Sequence, residues 1–293
     1  MRVLVLGGTG SIGSAVLTEL LAAGHDVLAL ARSENSAALM EAHGAKILRG
    51  DMRNPAGWVP SVPEIDAVIH AATDFSDEMD AIDRRLLDAL LPALSTMLRR
   101  VRLVYTGGCW LYGETGQRIA TETTPFDPLP AFAWSVPTIE RVLAAPEVDA
   151  LIIHPAMVYT HDGGVFSSFV DDARAGSPIA VVGGEHVHWP LVHADDLAVL
   201  YRLALERGAA GASYNGSAVA GLPVGAIVRA IARRFGLAAP ELRTVGADTI
   251  AAEKGEWARG YGLDQQMSGG RARRELGWRP VHGDPLRELS EPG

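Results

Sequence analysis

The sequence has one cysteine, Cys109, and two lysines, Lys46 and Lys254. A single cysteine excludes an internal disulfide and a zinc site built from several thiolates. None of the six tyrosines is followed by a lysine four residues later. The chain therefore lacks any Tyr-x-x-x-Lys pair, in which the lysine would lower the pKa of the tyrosine hydroxyl.

Positive charge and long apolar segments are also scarce. The 26 Lys and Arg residues are outnumbered by 35 Asp and Glu residues, which gives a net charge of -9. This balance argues against a nucleic-acid partner, because such binding needs clustered positive charge. No apolar run approaches the ~18 to 20 residues that cross a bilayer, and the chain begins as a strand without a signal sequence. We therefore expect a cytoplasmic protein with a small-molecule substrate and no membrane partner, and we leave a homodimer open.

The first half of the chain alternates short apolar strands with helical segments. The predicted strands cover residues 2–6, 26–30, 46–48, 67–69, 102–105 and 150–153, and the predicted helices include 11–23 and 78–100, the latter interrupted near Pro92. This alternation predicts an α/β fold with a doubly wound parallel sheet.

After His154 the alternation becomes irregular. Helices are predicted at residues 163–175, 195–206 and 225–235, with a strand at 179–182. We therefore predict a Rossmann domain over residues 1–160 and a smaller C-terminal substrate lobe over 161–293. Residues 190–215 are expected to return to the first domain.

The turn after the first predicted strand contains Gly7, Gly10 and Gly13. Gly7 permits a tight turn, Gly10 lets backbone amides approach a pyrophosphate, and Gly13 lets the helix pack close to the sheet. The N-terminus of that helix would face the negative charge. Because the triplet follows a strand and opens a helix, it predicts dinucleotide binding rather than an ordinary turn.

The end of the second strand indicates which dinucleotide binds. A site that prefers NAD places Asp or Glu about 20 residues after the glycines, whereas this chain has Ala31, Arg32 and Ser33 there. An arginine guanidinium pairs with the 2′-phosphate of NADP. The sequence therefore predicts NADP, with Arg32 and Ser33 as contacts. Glu34 keeps NAD as the less favoured alternative.

Two further strand ends fit the same ligand. Asp51 and Met52 follow the third strand, where a carboxylate can accept a hydrogen bond from the adenine amino group. Taken singly, Asp51 could instead be a helix cap. The fourth strand is followed by small residues that let a cofactor lie against the backbone, namely Ala71, Ala72 and Thr73.

Several motifs extend this pattern along nearly the whole chain. They lie at residues 7–13, 50–51, 70–72, 112–113, 154–159, 192–198 and 272–278, and the run that begins at His193 is particularly specific. Together they resemble the extended and atypical branches of the short-chain dehydrogenase/reductase superfamily, often labelled NAD-dependent epimerase/dehydratase. The resemblance adds further residues to the expected cofactor site: Thr9, Ser11, Ile12, Pro155, Ala156 and Val158.

The resemblance fails at the catalytic positions. In the superfamily a hydroxyl lies four residues before the tyrosine of a Tyr-Gly pair, and here that position is Gly108. A helix should carry Tyr-x-x-Ser-Lys ahead of a glutamate, and Ser135 and Glu140 match it. Phe132 and Val136 stand in place of the tyrosine and lysine. Phe132 cannot exchange a proton and Val136 cannot hold a ribose, so the usual alcohol oxidation is excluded.

The expected substrate is small. Superfamily members that act on nucleotide sugars place an arginine just before the His193 run, whereas this chain has His188 and Trp189. A neutral histidine and an indole bind a diphosphate poorly, which favours a smaller aromatic or apolar substrate. The side chains predicted to contact this substrate are Asp74, Cys109, Trp110, Phe132, Val136 and His188.

A replacement proton donor is expected at the same strand ends. Tyr112 and Tyr159 follow the fifth and sixth strands, and a packing role is as reasonable for each as acid–base chemistry. Thr106 adds a hydroxyl where the fifth strand ends. These three residues are the candidate catalytic groups, with a histidine or water as alternative proton sources.

Other reactive side chains receive a structural interpretation. We predict that His154 is a hydrogen-bonded structural residue and that Cys109 is a buried small one, with a nucleophile as the minor alternative for Cys109. His186 and His188 could share one strand face. Without a third ligand they do not make a metal site, and no metal is predicted.

The sequence thus predicts an NADP(H)-dependent, atypical short-chain dehydrogenase/reductase-like oxidoreductase with a small organic substrate. Reduction of a conjugated C=C or C=N bond would suit the missing tyrosine better than reduction of a simple ketone. Two alternatives stay open. One is a non-redox isomerase, cyclase or lyase on the same fold, and the other is an NmrA-like dinucleotide-sensing regulator without turnover.

Overall fold

The computed structural model describes residues 1–291 as an α/β fold with fourteen strands. The strands are β1 (Arg2–Leu6), β2 (Asp26–Ala31), β3 (Lys46–Arg49), β4 (Ala67–His70), β5 (Val101–Thr106), β6 (Ile119–Ala120), β7 (Val148–Pro155), β8 (Met157–Tyr159), β9 (Ile179–Val182), β10 (His188–His193), β11 (Ser213–Gly216), β12 (Val219–Pro223), β13 (Leu242–Val245) and β14 (Gln266–Met267). Seven of them form a central sheet in the order β11-β7-β5-β4-β1-β2-β3, and every neighbouring pair is parallel. The predicted doubly wound sheet is confirmed.

Residues 1–291 also contain ten α-helices, the last two of which follow β14. They are α1 (Gly13–Ala22), α2 (Glu34–Ala42), α3 (Met79–Leu94), α4 (Ser135–Ala144), α5 (Ser167–Ala175), α6 (Ala194–Arg207), α7 (Val224–Arg234), α8 (Ala247–Lys254), α9 (Gly270–Leu276) and α10 (Pro285–Ser290). Short 3₁₀ helices include Cys109–Tyr112, Pro130–Phe132 and Glu256–Gly262. Within residues 1–291, none of the helices combines the length and apolar character that crossing a membrane requires.

Three predicted helices are shorter in the structure, and the first of them loses only residues 11, 12 and 23. The helix predicted at 78–100 is not interrupted at Pro92, which lies inside α3. It ends at Leu94, because the hydroxyls of Ser95 and Thr96 bond to carbonyls of its last turn. The helix predicted at 163–175 begins at Ser167, because Gly164 pairs with Tyr159 in a β-bridge.

The central sheet separates two apolar cores. Val3 and Val5 of β1 face the core that contains α1 and α6, while Leu4 and Leu6 face the core that contains α3 and α4. This division follows from the alternation of side chains along a strand. The central strand β1 is therefore apolar on both faces, as a parallel sheet covered by helices on both sides requires.

Smaller sheets form a lobe beyond the carboxyl ends of the central strands. β8, β10 and β12 form one sheet, β9 pairs with β13, and β6 pairs with β14. The chain also returns to the main sheet: α6 packs on α1, and β11 lies beside β7. Trp110, just after β5, contacts Trp257 and Tyr261 of the lobe, so the lobe packs against the carboxyl ends of the central strands.

Candidate functional site

The glycine turn has the shape that a dinucleotide needs. Gly7 has φ +89°, and a Cβ on it would lie 2.6 Å from the carbonyl oxygen of Ala71 at the end of β4. A Cβ on Gly13 would overlap the carbonyl oxygen of Gly7. The α1 helix begins without a side-chain cap and without an acidic residue in its first turn. Its free N–H groups therefore fit a pyrophosphate, and Gly10 leaves the approach open.

Two arginines lie near the predicted ribose position. Arg32 is exposed directly after β2. The sheet register sets Arg49 opposite the last residue of β2, and its guanidinium binds Glu34 at 2.6 Å and donates to the carbonyl of Ser33 at 3.2 Å. The Glu34 carboxylate, which left NAD as an alternative to NADP, is thus paired with the guanidinium of Arg49. The Ser33 hydroxyl caps α2 by accepting from the N–H of Ser36, so its predicted contact with the cofactor competes with this cap.

The acidic residues predicted for the adenine and the substrate bond within the protein. Asp51 accepts from the N–H of Arg53 at 2.9 Å in a local turn, and its carbonyl accepts from the indole of Trp58. The Asp74 carboxylate binds Arg53 at 2.8 Å and also accepts from Ser76. Burial opposes ionisation of Asp74, but these hydrogen bonds outweigh it and lower its pKa. Asp74 is therefore an ionised anchor of the loop after β4.

The other predicted cofactor residues lie along the same strand ends. Met52 packs against the core on the α3 side, and the N–H of Ala156 donates to the carbonyl of Gly216 at 3.0 Å. The remaining ones sit on the glycine turn, after β4, at the end of β7 and in β8: Thr9, Ser11, Ile12, Ala71, Ala72, Thr73, Pro155 and Val158.

Thr106 faces away from the predicted catalytic helix. Its hydroxyl lies 2.6 Å from the hydroxyl of Tyr201 on α6. Phe132 and α4 belong to the core on the other side of the sheet. Because side chains alternate along β5, Thr106 cannot reach that side, so its hydroxyl does not replace the missing one at Gly108.

The hydroxyls of both candidate tyrosines are engaged inside the protein. Tyr112 is 4% exposed, and its hydroxyl donates to the Asn215 amide oxygen at 2.8 Å. Tyr159 is 1% exposed, and its hydroxyl lies 3.4 Å from the Glu288 carboxylate. Burial raises the pKa of each phenol well above its usual value. This placement corresponds to the packing role that the sequence had left open.

Cys109 is buried at the start of the 3₁₀ helix after β5. Burial raises the pKa of its thiol to about 12, so the reactive thiolate is disfavoured at neutral pH. The structure therefore agrees with a packing role for Cys109.

Where the lobe meets the strand ends, five aromatic side chains form a cluster, which we call the aromatic cluster: Phe75, Trp110, Phe132, Trp257 and Tyr261. Trp110 lies at its centre, with ring centroids 5.4 Å from Phe132, 6.3 Å from Trp257 and 5.3 Å from Tyr261. Phe75 lies 4.8 Å from Trp257, is 44% exposed and has φ +49°. The cluster joins the loops after β4 and β5 to the lobe, and Val136 lies one helical turn beyond Phe132 in α4.

His188 has a carboxylate partner that the sequence analysis missed. Its Nδ1 lies 2.9 Å from Asp264, which also accepts from the backbone N–H of His188. The neighbouring Gln265 donates to the carbonyls of Cys109 and Gly113, so this pair lies against the loop after β5. A carboxylate on Nδ1 orients the imidazole and leaves Nε2 for a substrate.

His154 lies at the end of β7 beside Asn215, its register partner on β11. It is fully buried, and within residues 1–291 neither ring nitrogen has a hydrogen-bond partner. The structure therefore agrees with a buried structural role for His154, but the predicted hydrogen bond to its ring is not formed with standard geometry. A side chain on Gly107 would overlap the imidazole, so this position must be glycine to leave room for the ring of His154. Burial lowers the pKa of His154 to about 4, so the ring is neutral at pH 7.

The two lysines lie in separate parts of the fold. Lys46 pairs with Asp26 at 2.7 Å, at the amino ends of β3 and β2. Lys254 is the last residue of α8. Lys46 therefore lies at the opposite end of the strands from the loop after β5.

Sequence comparison identifies relatives along the whole chain. The model of the NAD dependent epimerase/dehydratase family matches residues 3–216. The uncharacterized protein YLL056C of Saccharomyces cerevisiae is 31% identical over 295 residues, covering 96% of this chain and 95% of that protein.

Solved structures share the fold. The DesIV double mutant, a dTDP-glucose 4,6-dehydratase of Streptomyces venezuelae with NAD and DAU bound, has a TM-score of 0.82 and 23% identity, covering 99% of this chain and 96% of that one. The human epimerase family protein SDR39U1 with NADPH has a TM-score of 0.82 and 20% identity, covering 99% and 98%. One neighbour holds NAD and the other NADPH.

Proposed function

Because the chain belongs to the NAD dependent epimerase/dehydratase family, we propose that it is an NADP(H)-dependent oxidoreductase acting on a small aromatic or apolar substrate. The observation that carries this proposal is the aromatic cluster, which lies beyond β4 and β5 at the catalytic end of the sheet. Planar apolar molecules stack favourably on such rings. A bound NADPH would supply the hydride.

The chain's own residues would hold this cofactor in a defined direction. The Gly7–Gly13 turn and the N-terminus of α1 suit the pyrophosphate. Arg32 is exposed at the expected 2′-phosphate position, and Arg49 neutralises Glu34 beside it. This arrangement supports NADP over NAD.

We expect Arg32→Ala to weaken NADPH binding selectively. The lost charge-assisted contact should cost about 1 to 3 kcal/mol for NADPH, with little change for NADH. Isothermal titration calorimetry measures both affinities, and Arg84→Ala, at an exposed arginine on α3, is the matched control. Equal affinity of the unmutated protein for the two cofactors would remove the argument for NADP.

We assign proton delivery to His188. The position of the usual tyrosine is occupied by Phe132, and the hydroxyls of Tyr112 and Tyr159 already have partners. His188 is oriented by Asp264 and its side chain is 36% exposed, so its Nε2 can meet a substrate without disrupting the core.

We expect Tyr112→Phe to affect stability rather than turnover. Removing the hydroxyl leaves the buried Asn215 oxygen without its donor, which should lower the free energy of unfolding by about 1 to 3 kcal/mol. Urea denaturation measures this loss, and Tyr159→Phe, whose contact is longer, should lose less. Unchanged stability with a large drop in turnover would instead make Tyr112 the proton donor.

The reaction class can be tested with a panel of aromatic compounds that contain conjugated C=C or C=N bonds. We expect one or more to be reduced with stoichiometric consumption of NADPH, and aliphatic ketones of similar size to react poorly. Trp257→Ala should raise KM for the aromatic substrate, because a stacking surface is lost. Product formation without net NADPH consumption would establish the non-redox alternative.

A further inference from the structure

A second group of reactive side chains lies away from the predicted cofactor site. Within residues 1–291, one group of three imidazole and carboxylate side chains has its ligand atoms within 4.8 Å of one another: His193, Asp195 and His282. His193 and His282 line a cavity of about 290 Å³, together with Tyr159, His161, Glu288, Leu289 and Glu291. None of the residues assigned to the cofactor lines this cavity.

We propose that His193, Asp195 and His282 form a binding site for a divalent transition-metal ion. Two imidazoles and one carboxylate are a donor set that suits Zn²⁺, Co²⁺, Ni²⁺ or Cu²⁺, whereas Mg²⁺ and Ca²⁺ prefer oxygen ligands. Three protein ligands leave a position for water. The cavity supplies the space for that water.

The backbone already holds the ligands together. His193 is the last residue of β10 and the N-cap of α6, and Asp195 lies in the first turn of that helix. The buried Asp196 carboxylate accepts from the N–H of Val281 at 2.8 Å and from the N–H of His282 at 2.9 Å. The helix that carries Asp195 therefore also fixes the backbone of His282 beside His193.

One imidazole has to turn when the metal binds. The rings of His193 and His282 are stacked, with centroids 3.8 Å apart and planes inclined by 19°. A metal lies in the plane of each imidazole that binds it, so two nearly parallel rings cannot share one ion. His282 lies outside regular structure, its side chain is 29% exposed and it borders the cavity, so its ring has room to turn. Glu288, 3.1 Å from its Nδ1, is placed to hold one ring nitrogen and leave the other for the metal.

Metal binding would join the C-terminal segment to the start of α6. Because a metal that binds only the folded state stabilises it, saturating metal should raise the melting temperature. The effect should follow the metal concentration and should not require NADPH.

The test uses full-length protein from which any affinity tag has been removed and which has been treated with a chelator. We expect calorimetry with Zn²⁺ to show one specific site per chain, and Co²⁺ to produce a visible absorption band. His282→Gln and Asp195→Asn should each weaken Zn²⁺ binding by about 10- to 100-fold or more, since they remove direct ligands. Asp195 has a side chain that is 74% exposed, so its amide variant should fold normally.

His43→Gln is the matched control, because His43 is bonded to the carbonyl of Leu39 on α2 and belongs to another part of the surface. It should bind Zn²⁺ like the unmutated protein. Absence of a specific site in the unmutated protein, or unchanged Zn²⁺ affinity in both His282→Gln and Asp195→Asn, would overturn the proposal. NADPH affinity, measured in parallel, should be the same in all variants, so the result does not depend on the proposed reaction.

Discussion

His188→Gln should lower turnover by about 10²- to 10⁴-fold and leave NADPH affinity unchanged, because that range is the usual contribution of a general acid. The Asp264 carboxylate holds Nδ1 of His188, so the imidazole presents a fixed Nε2. Glutamine keeps a polar side chain of similar length but cannot transfer a proton at neutral pH. The loss should appear in kcat more than in KM, because the proton moves in the transition state.

Two further variants separate a catalytic from a structural effect. His186→Gln, two residues away, should retain full turnover. Asp264→Asn should give an intermediate loss, because it removes the carboxylate that orients the imidazole of His188. Full turnover in His188→Gln, measured with an identified substrate under saturating NADPH, would assign proton delivery to water or another group.

Acidification should destabilise the protein through His154. The pKa of this histidine falls from 6.5 to about 4 on folding because burial penalises the charged ring. The unfolded chain therefore takes up the proton first as the pH drops below 6.5. Between pH 6.5 and about 4, the free energy of unfolding should fall by about 3 kcal/mol in total from this one group. Above pH 6.5 the ring is neutral in the folded and the unfolded state, so this group causes no loss of stability there.

Chemical denaturation at a series of pH values between about 7 and 4.5 measures this effect. His154→Gln should lose stability at neutral pH, since its amide is also buried, but its unfolding free energy should depend less steeply on pH. His43→Gln should keep the slope of the unmutated protein, because His43 is exposed. If the free energy of unfolding changed with pH equally in His154→Gln and in the unmutated protein, the ring of His154 would be protonated without cost in the folded state.

Local sequence signals predicted six of the seven strands of the central sheet closely and missed β11. The first strand matches residue for residue, and five others differ by at most two residues at either end. These strands are short apolar runs between turns, and burial on both faces leaves little choice of structure. Helix ends were less predictable, since Ser95 and Thr96 end α3 through side-chain bonds that the apolar pattern does not encode.

Side-chain partners were much harder to predict. Thr106 was expected among the catalytic groups, but the pleat of β5 turns it toward Tyr201 on α6. His154 was expected to be hydrogen-bonded, yet β11 brings Asn215 beside it from more than fifty residues along the chain without a bond between them. Arg49 escaped notice because only the pairing of β3 with β2 brings it to Glu34.

The sequence by itself determined the scaffold of this protein, because strand and turn signals are local. Gly7 and Gly13 had to be glycine for β1 to meet α1 closely, and the absence of a Tyr-x-x-x-Lys pair needed only the residue order. The tertiary structure alone decided which polar groups meet. His188 with Asp264, and His193 with His282, come from segments about 75 to 90 residues apart, and their approach depends on how the lobe packs against the sheet. Spacing along the chain carries no information about such contacts, because no periodic pattern links the two segments.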